Sequence, residues 1–358
     1  MTTPLSILDL APVRPGESPA TAFSASVELA RRAEELGYRR IWYAEHHNMA
    51  TIASSATSVL IAHVAAHTTS IRLGAGGVML PNHAPLTIAE QFGTLESLHP
   101  GRIDLGLGRA PGTDEVTLRA LRRSPASADR FPEDVLELQG YLTGRSLLPG
   151  VDAMPGKGTN VPLYILGSST FGAQLAAALG LPYAFASHFA PGDLDEAVAA
   201  YRSRFRPSAQ LDHPYVIAGV NVVVAEDGED AARQFLAAKR NRVRSLLARH
   251  RIAERDGRDP PRSEHRGDGH PGDEHRGDES MSDDEADRLL SSPAARHVEQ
   301  MATYSAVGTP PEAAAYLRDF AAHAQADELM VVHQSPTAAE RLRSVELLAE
   351  QAELAAAG

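Results

Sequence analysis

The chain has 358 residues, of which 43% are hydrophobic and 22% are charged, and these proportions are typical of a folded globular protein with a full-sized core. A formal net charge of -12 argues against a surface that binds nucleic acid, and the absence of cysteine excludes disulfides, thiolate chemistry and cysteine-ligated metals. Because no basic segment precedes an apolar stretch at the N-terminus and no apolar run reaches the roughly 18 residues of a membrane helix, we expect a cytoplasmic protein without membrane contact.

Short apolar runs alternate with longer amphipathic segments along the first third of the chain. In chain order, this pattern predicts alternating strands and helices at 5–10, 19–36, 40–43, 55–67, 71–75, 86–98 and 102–108. After a looser stretch, further strands are predicted at 163–166, 183–186, 216–224 and 328–332. The accompanying helices are predicted at 171–179, 193–205, 230–249, 312–324 and 337–355. Since helices supply the crossovers between parallel strands and eight strands are predicted, the favoured α/β fold is a (β/α)8 TIM barrel rather than an open doubly wound sheet.

One segment interrupts the alternation. Residues 252–292 are rich in Arg, Asp, Gly, His and Pro, and the sequence Glu-His-Arg-Gly-Asp occurs twice, at 264–268 and 274–278. Because this composition cannot offset the entropy of ordering, we predict a disordered insertion before the last strand of a single domain over 1–358. The alternative is loose metal binding by its histidines. After the insertion, Thr309 and Pro310 predict a helix start.

The first candidate for chemistry is the histidine pair that follows the second strand. In a barrel of this type, active-site groups lie where strands end, and Glu45-His46-His47 occupies such a position. Adjacent residues on an extended chain point to opposite sides, so one imidazole is expected to face the mouth. It could transfer protons near neutral pH, pack structurally or bind a metal. Further metal ligands at other strand ends would come from Asp9, His83 and His188.

Glycines mark the ends of the next two strands. Gly76 and Gly77 allow either the close approach of a flat ligand or a bulge that helps to close the barrel. In the fourth strand, a period of two places one set of residues on the inward face, where small side chains leave room for a ring system. This inward set is Arg102, Asp104, Gly106 and Gly108.

Two positions could bind an anion. Arg109, just past the fourth strand, could contact a phosphate or a carboxylate, or could form a surface ion pair. Gly167, Ser168 and Ser169 lie between the fifth strand and a helix, where amides and hydroxyls can form an anion site. Ordinary N-capping by serine is the alternative. This second position is the best phosphate site that the residues suggest.

Taken together, these segments resemble the bacterial luciferase-like monooxygenase family. The matching stretches are 41–47, 74–85 and 101–109, in the same order and spacing, and 307–312 resembles the family's approach to its last helix and strand. The resemblance covers nearly all of the chain except the charged insertion. It implies a luciferase-like barrel that binds FMN at the C-terminal ends of its strands, often as a homodimer.

The resemblance also implies a flavin-dependent monooxygenase reaction. A separate flavin reductase would supply reduced FMN (FMNH2), and oxygen would add at its C4a carbon to give a hydroperoxyflavin that oxygenates a small organic substrate. His46 matches the family's catalytic histidine. Gly76 and Gly77 match a strained, often cis, peptide beneath the flavin ring. Gly108 stands where luciferase has a cysteine near the reactive flavin carbon, which argues against light emission.

The flavin phosphate site that the resemblance implies includes Arg109 and Ser168. Luciferase has a glutamate where Gly167 stands, and the following helix is offset by one residue, which affects the match of Ser169. Relatives of the family use the deazaflavin F420 for hydride transfer without oxygen, so an F420-dependent oxidoreductase is one alternative. A flavin-binding protein without turnover and a metal-dependent barrel hydrolase are the others.

Overall fold

The computed structural model describes residues 2–110, 112–256 and 281–354, with the backbone alone at 248–256 and 294. Within these residues, the strands are β1 (Leu5–Asp9), β2 (Arg40–Tyr43), β3 (Arg72–Met79), β4 (Ile103–Gly108), β5 (Leu163–Gly167), β6 (Tyr183–Phe185), β7 (Val216–Val224), β8 (Ser305–Gly308) and β9 (Glu328–His333). Each of β1 to β6 pairs in parallel with the next strand, β7 pairs with β9, and β9 pairs with β1. Eight parallel strands therefore close a ring, and the predicted (β/α)8 TIM barrel is confirmed.

The ninth strand lies outside this ring. β8 pairs in parallel with the second half of β7, from Asn221 opposite Ser305 to Val224 opposite Gly308. The sequence analysis missed β8 because Ser-Ala-Val-Gly contains a single β-branched residue and lacks the run of large apolar side chains that indicated the other short strands. The predicted helix start after it is confirmed, since Thr309 forms a capping box with Glu312.

Helices follow the barrel strands and pack around the ring. They are α1 (Pro19–Glu35), α2 (Thr57–Ala65), α3 (Pro85–Leu98), α4 (Glu115–Ala120), α5 (Phe131–Thr143), α6 (Thr170–Leu179), α7 (Leu194–Arg204), α8 (Gly228–Asp256), α9 (Asp283–Leu290), α10 (Arg296–Met301), α11 (Pro310–His323) and α12 (Ala338–Ala352). Short 3-10 helices occur at Leu80–Asn82, Pro125–Arg130 and Pro293–Ala295. The looser stretch of the sequence analysis thus holds α4 and α5, which were not predicted. No helix in the described part of the chain has both the length and the apolar character needed to cross a bilayer.

The predicted disordered insertion over 252–292 is too wide at both ends. α8 continues to Asp256, and α9 begins at a capping box formed by Ser282 and Glu285. The charges that suggested disorder form ion pairs between these helices, because Arg240 contacts Asp287 and Asp283. Residues 257–280 of the predicted insertion, with both copies of the repeat, lie outside the described residues.

The barrel interior is filled by side chains of alternate residues from several strands. Leu8, Trp42, Tyr164, Ile217 and Met330 form a buried cluster that is separate from the packing between sheet and helices. The ring of Trp42 meets that of Tyr164 edge to face, with 5.0 Å between centroids. The middle of the barrel is therefore a packed apolar layer, which is how small barrels are usually filled.

An ionic cluster lies below this layer, at the N-terminal ends of the strands. The Arg40 guanidinium donates to Asp104 at 2.7 Å, to the Tyr164 hydroxyl at 2.7 Å and to Glu328 at 3.2 Å. Arg40 is 2% exposed, and Asp104 and Glu328 are fully buried. Because these residues come from β2, β4, β5 and β9, the cluster ties opposite sides of the ring together at its floor.

One predicted inward residue is placed elsewhere. Asp104 and Gly106 face inward as predicted, but Arg102 precedes the first residue of β4. Its guanidinium donates to the carbonyl oxygens of Thr68 and Ile71 at 3.0 and 3.1 Å. The prediction for Arg102 was wrong because the alternation of a strand does not extend into the turn before it.

Candidate active site at the barrel mouth

The residues selected from the sequence all lie at the C-terminal ends of neighbouring strands. His46 follows β2, the glycine pair lies within β3, Gly108 ends β4 and Gly167 ends β5. Because the barrel strands are parallel, these ends meet at one mouth. The structure therefore places the whole set along the half of the rim between β2 and β5: His46, Gly76, Gly77, Gly108, Arg109, Gly167, Ser168 and Ser169.

The two histidines that follow β2 diverge, as the alternation of side chains predicts. His46 is half-buried, and its Nδ1 lies 3.4 Å from the carbonyl oxygen of Gly112. His47 turns to Glu45, with its Nε2 at 2.9 Å from Oε1. Since a carbonyl oxygen can only accept, a neutral His46 ring that donates from Nδ1 has its basic lone pair on Nε2.

Glu45 holds together the loops on either side of His46. The carboxylate is 1% exposed and accepts hydrogen bonds from Nε2 of His47 and His83, each at 2.9 Å, and from the Met79 amide at 3.0 Å. Burial alone would raise the pKa of Glu45, but these hydrogen bonds outweigh burial and lower the pKa to about 2. Glu45 is therefore ionised at neutral pH. Its hydrogen bond with the Met79 amide holds the end of β3 next to the loop that carries His46. The sequence analysis quoted Glu45 without assigning it this role.

The ligands that a metal site would need are not assembled. His83 binds Glu45. Asp9 is the last residue of β1, and its side chain points to the surrounding helices, where it contacts Arg341 at 2.9 Å and accepts from Ser26 at 2.6 Å. In residues 2–110, 112–256 and 281–354, no group of three or more His, Cys, Asp or Glu side chains could hold a metal ion.

The glycines of β3 interrupt the sheet register. The pairing of β3 with β4 shifts between Ala75 and Val78, which confirms the predicted bulge, and the peptide bond between Gly76 and Gly77 is cis. A Cβ on Gly77 would lie 2.7 Å from the carbonyl oxygen of Gly106, so only glycine lets β3 and β4 approach this closely. Contact of this segment with a flavin ring stays a prediction.

The end of β4 brings Arg109 to the start of α6. A Cβ on Gly108 would lie 2.8 Å from Cε of Met79, so the flexible end of Met79 fills the space that a cysteine would occupy there. The Arg109 guanidinium lies over the ring of Phe171, 4.1 Å from its centroid. Arg109 makes no ion pair with the described residues, so the alternative that it forms a surface ion pair is not observed.

The start of α6 leaves hydrogen-bonding groups without partners in the described protein. Ser169 occupies the N-cap position, but its side chain makes no capping hydrogen bond, and the Ser168 hydroxyl makes none either. The Ser169 carbonyl accepts from the Tyr183 hydroxyl at 2.9 Å, which fixes the backbone here. The first amides of a helix have no acceptor within the helix. Two hydroxyls and these amides can therefore bind an anion beside Arg109, and the predicted N-capping alternative is wrong.

The other half of the rim holds His188, which the sequence analysis named as a possible metal ligand, and the polar residues Asn221, Gln334 and Arg242, which it missed. The His188 ring packs against Gly219, where a Cβ would lie 2.3 Å from its Nδ1. The Asn221 amide donates to the His188 carbonyl at 2.8 Å and accepts from Gln334 at 2.9 Å. Arg242 of α8 lines a narrow cleft with Asn221 and Gln334. Asn221 breaks an otherwise apolar strand and could have been noticed, whereas Arg242 is one of several arginines in α8.

Known proteins match nearly the whole chain. The family described as luciferase-like monooxygenase matches residues 3–327. The Bacillus subtilis protein YvbT is 46% identical over 349 residues, which are 97% of this chain and 96% of that protein. An Escherichia coli protein named luciferase-like monooxygenase is 57% identical over 235 residues, 65% of this chain and 70% of its own length. The N-acetyl-S-alkylcysteine monooxygenase of Bacillus subtilis is 38% identical over 253 residues, 67% of this chain and 73% of its own length.

Solved structures have the same fold. Apo-MsnO8 is 34% identical, with a TM-score of 0.79 and 99% of each chain covered. The oxygenating constituent of the 3,6-diketocamphane monooxygenase of Pseudomonas putida, solved with FMN, is 16% identical, with a TM-score of 0.67 and 98% and 97% of the two chains covered. An F420-dependent secondary alcohol dehydrogenase is 17% identical, with a TM-score of 0.65 and 98% and 99% covered. At these identities, the last two share the fold alone.

Proposed function

This chain belongs to the luciferase-like monooxygenase family, and we propose that it uses reduced FMN and O2 to oxygenate a small organic substrate. The main support is the arrangement at the start of α6, where the hydroxyls of Ser168 and Ser169 and the helix amides have no partner in the described protein and Arg109 lies beside them. Such a set of donors with a cation suits a phosphate group. The glycines of β3 and β4 keep these two strands in close contact beside the proposed phosphate site, since a Cβ on Gly77 would lie 2.7 Å from the carbonyl oxygen of Gly106.

The chain's own residues have four tasks in this proposal. Ser168, Ser169 and Arg109 would bind the FMN phosphate, and bound reduced flavin would supply the electrons that activate O2. His46 would accept or return a proton at Nε2 as oxygen is transferred. The ionised Glu45 would keep the loop of His46 in place, since it hydrogen-bonds both His47 and the end of β3. The packed interior below would exclude water from the reacting groups.

Two partners complete the proposal. A separate flavin reductase would supply reduced FMN, and a second copy of the chain would form a homodimer. Val59 of α2 and Leu98 of α3 are 68% and 63% exposed, and these helices are neighbours. Val59 lies in the first turn of α2 and Leu98 at the end of α3, and a second copy of the chain that covered both helices would remove these side chains from water. We expect light scattering to give the mass of two chains, and the mass of one chain at micromolar concentration would contradict the homodimer.

The reaction is tested with purified protein, a flavin reductase, NADH, FMN and 18O2. N-acetyl-S-benzylcysteine is a suitable first substrate, because a relative is named for compounds of this kind. Transfer of one oxygen atom to the thioether sulfur gives a sulfoxide, while the second atom leaves as water and the flavin is oxidised. Mass spectrometry should find one 18O in the product, in this compound or another of a substrate panel. If reduced FMN binds but no compound gains 18O, the protein is a flavin-binding protein without turnover.

The choice of cofactor can be measured by binding. Trp42 is the single tryptophan of the chain and lies just below the mouth, so its fluorescence should be quenched by a flavin bound there. We expect FMN to bind more tightly than F420. Tighter binding of F420 would favour the F420-dependent alternative instead.

The phosphate site gives a separate prediction. Replacing Arg109 and Ser168 together by alanine should raise the Kd of FMN by about tenfold to 100-fold, since hydrogen bonds to a charged group are lost. Riboflavin has no phosphate, and its Kd should stay the same in the double variant. The Trp42 signal measures both, and Arg119→Ala, an exposed change on α4, is the matched control. Equal FMN affinity in the wild type and the double variant would show that the phosphate binds elsewhere.

A further inference from the structure

The cations of α8 differ in how their charge is balanced. Within the described residues, Arg242 makes no ion pair and no hydrogen bond, although it is half-buried. Burial lowers the pKa of Arg242, but a guanidinium stays charged at neutral pH. The other four cations of α8 before residue 248 each have an acidic partner on a neighbouring turn or helix. The pairs are Arg233 with Asp230 and Glu340, Lys239 with Glu299, Arg240 with Asp283 and Asp287, and Arg244 with Asp283. A partly buried cation without a counter-charge is unfavourable unless a ligand completes it.

Arg242 lines a cleft at the barrel mouth. The cleft has a volume of about 10 Å³ and is also lined by Asn221 and Gln334. Side chains two or four residues apart on a strand point to the same side. Asn221 is four residues after Ile217 and Gln334 is two residues after Val332, and both Ile217 and Val332 face the barrel interior, so Asn221 and Gln334 face it as well. A cleft of this volume has room for about one oxygen atom of a ligand, so the rest of an anionic group would lie at its entrance. Because the amides of Asn221 and Gln334 bond each other at 2.9 Å, they are ordered before any ligand arrives.

His188 connects this cleft with the proposed catalytic histidine. Its ring occupies the space that the missing side chain of Gly219 leaves at the mouth, and its buried Nδ1 has no partner among the described residues. Burial, together with the charges of Arg242 and His46, lowers the pKa of His188 to about 3. His188 is therefore neutral at pH 7. Lys239 also lines the cleft but pairs with Glu299, so Arg242 is the cleft cation without an acidic partner among the described residues. His46 is close enough to influence the His188 ring.

We propose that Arg242 binds a carboxylate of the substrate and thereby orients the rest of that molecule across the mouth toward His46. This inference rests on the proposed function, since it concerns the molecule that is oxygenated. An arginine fork matches a carboxylate, which can accept two parallel hydrogen bonds. The site is distinct from the phosphate site, because Arg242 and Asn221 lie on the β7 and β9 side of the rim and Arg109 lies between β4 and β5.

The test measures binding without flavin. The probes are N-acetyl-S-benzylcysteine and its neutral carboxamide, titrated by calorimetry into wild-type protein, Arg242→Gln and the matched control Arg233→Gln. Arg233 lies on the same helix with a 59% exposed side chain and has acidic partners. The Kd of the acid should rise by about tenfold or more in Arg242→Gln and remain unchanged in the control. The Kd of the carboxamide should be the same in all three proteins.

Several results would overturn the inference. Equal affinity of wild-type protein for the acid and the carboxamide would do so. An equal loss of affinity for both compounds in Arg242→Gln would also do so, because it would indicate altered packing. A selective loss of FMN over riboflavin in Arg242→Gln would assign this arginine to the cofactor phosphate. If Arg242→Gln does not fold, Arg242→Lys replaces it and should keep a weakened preference for the acid. Failure of wild-type protein to bind FMN would overturn the proposed function alone, because the acid and carboxamide are compared without flavin.

Discussion

Replacing His46 by alanine is expected to lower the rate of product formation by about 100-fold to 10,000-fold, the usual contribution of a positioned acid–base group. The reason is its position at the mouth, where Nδ1 faces the Gly112 carbonyl oxygen and Nε2 carries the basic lone pair. FMN affinity should change little, since the proposed phosphate donors lie at the ends of β4 and β5. Single-turnover formation of the 18O-labelled product gives the rate, and Trp42 quenching gives the affinity.

Two comparisons separate a proton-transfer role from a structural one. Imidazole added to His46→Ala should restore part of the rate, because free imidazole can transfer the same proton although it is not attached to the chain. His67→Ala changes an exposed histidine after α2 and should behave like the wild type. An unchanged rate in His46→Ala, or an equal loss of rate and of FMN affinity, would remove His46 from proton transfer.

Replacing Arg40 by methionine is expected to lower the free energy of unfolding by about 3–5 kcal/mol, the usual result of removing one partner from a buried ion pair. Asp104 and Glu328 are fully buried, and both lose the guanidinium that joins them. Asp104 keeps Arg72, and Glu328 keeps Ser6 at 2.5 Å, so the loss should lie toward the lower end of this range. Urea unfolding followed by circular dichroism measures the change.

The neighbouring arginine provides the control for this change. The side chain of Arg39 is 45% exposed and lies 3.6 Å from Glu328, so Arg39→Met should cost less than about 1 kcal/mol. If the two variants lose the same free energy of unfolding, the buried cluster does not have the stabilising role that its geometry indicates.

Much of the barrel follows from local patterns in the sequence. Alternating apolar runs predicted the eight strands of the ring. His46, Gly77, Arg109 and Ser168 lie at or near the ends of these strands and were therefore predicted to share one rim. This works because all strands of such a barrel are parallel, so the end of every strand reaches the same side. The bulge of β3 was similarly visible as a pair of adjacent glycines.

The remaining features depend on contacts between distant segments. Arg40, Asp104 and Glu328 lie at or next to the starts of three different strands, and only closure of the ring brings the three together. The composition of 252–292 predicted disorder, yet its last third contains α9, which pairs with arginines of α8. Arg242 could not be distinguished from Arg240 in the sequence, because the two arginines differ only in the residues that the fold places next to their side chains.

The packed interior and the ionic floor beneath Trp42 close the barrel at the N-terminal ends of its strands within the described residues. Molecules then reach the rim from the mouth. If reduced flavin binds across the mouth, as proposed, a substrate held between the flavin and the packed layer has to enter first and leave last. This arrangement would impose a fixed order of binding and release on the catalytic cycle.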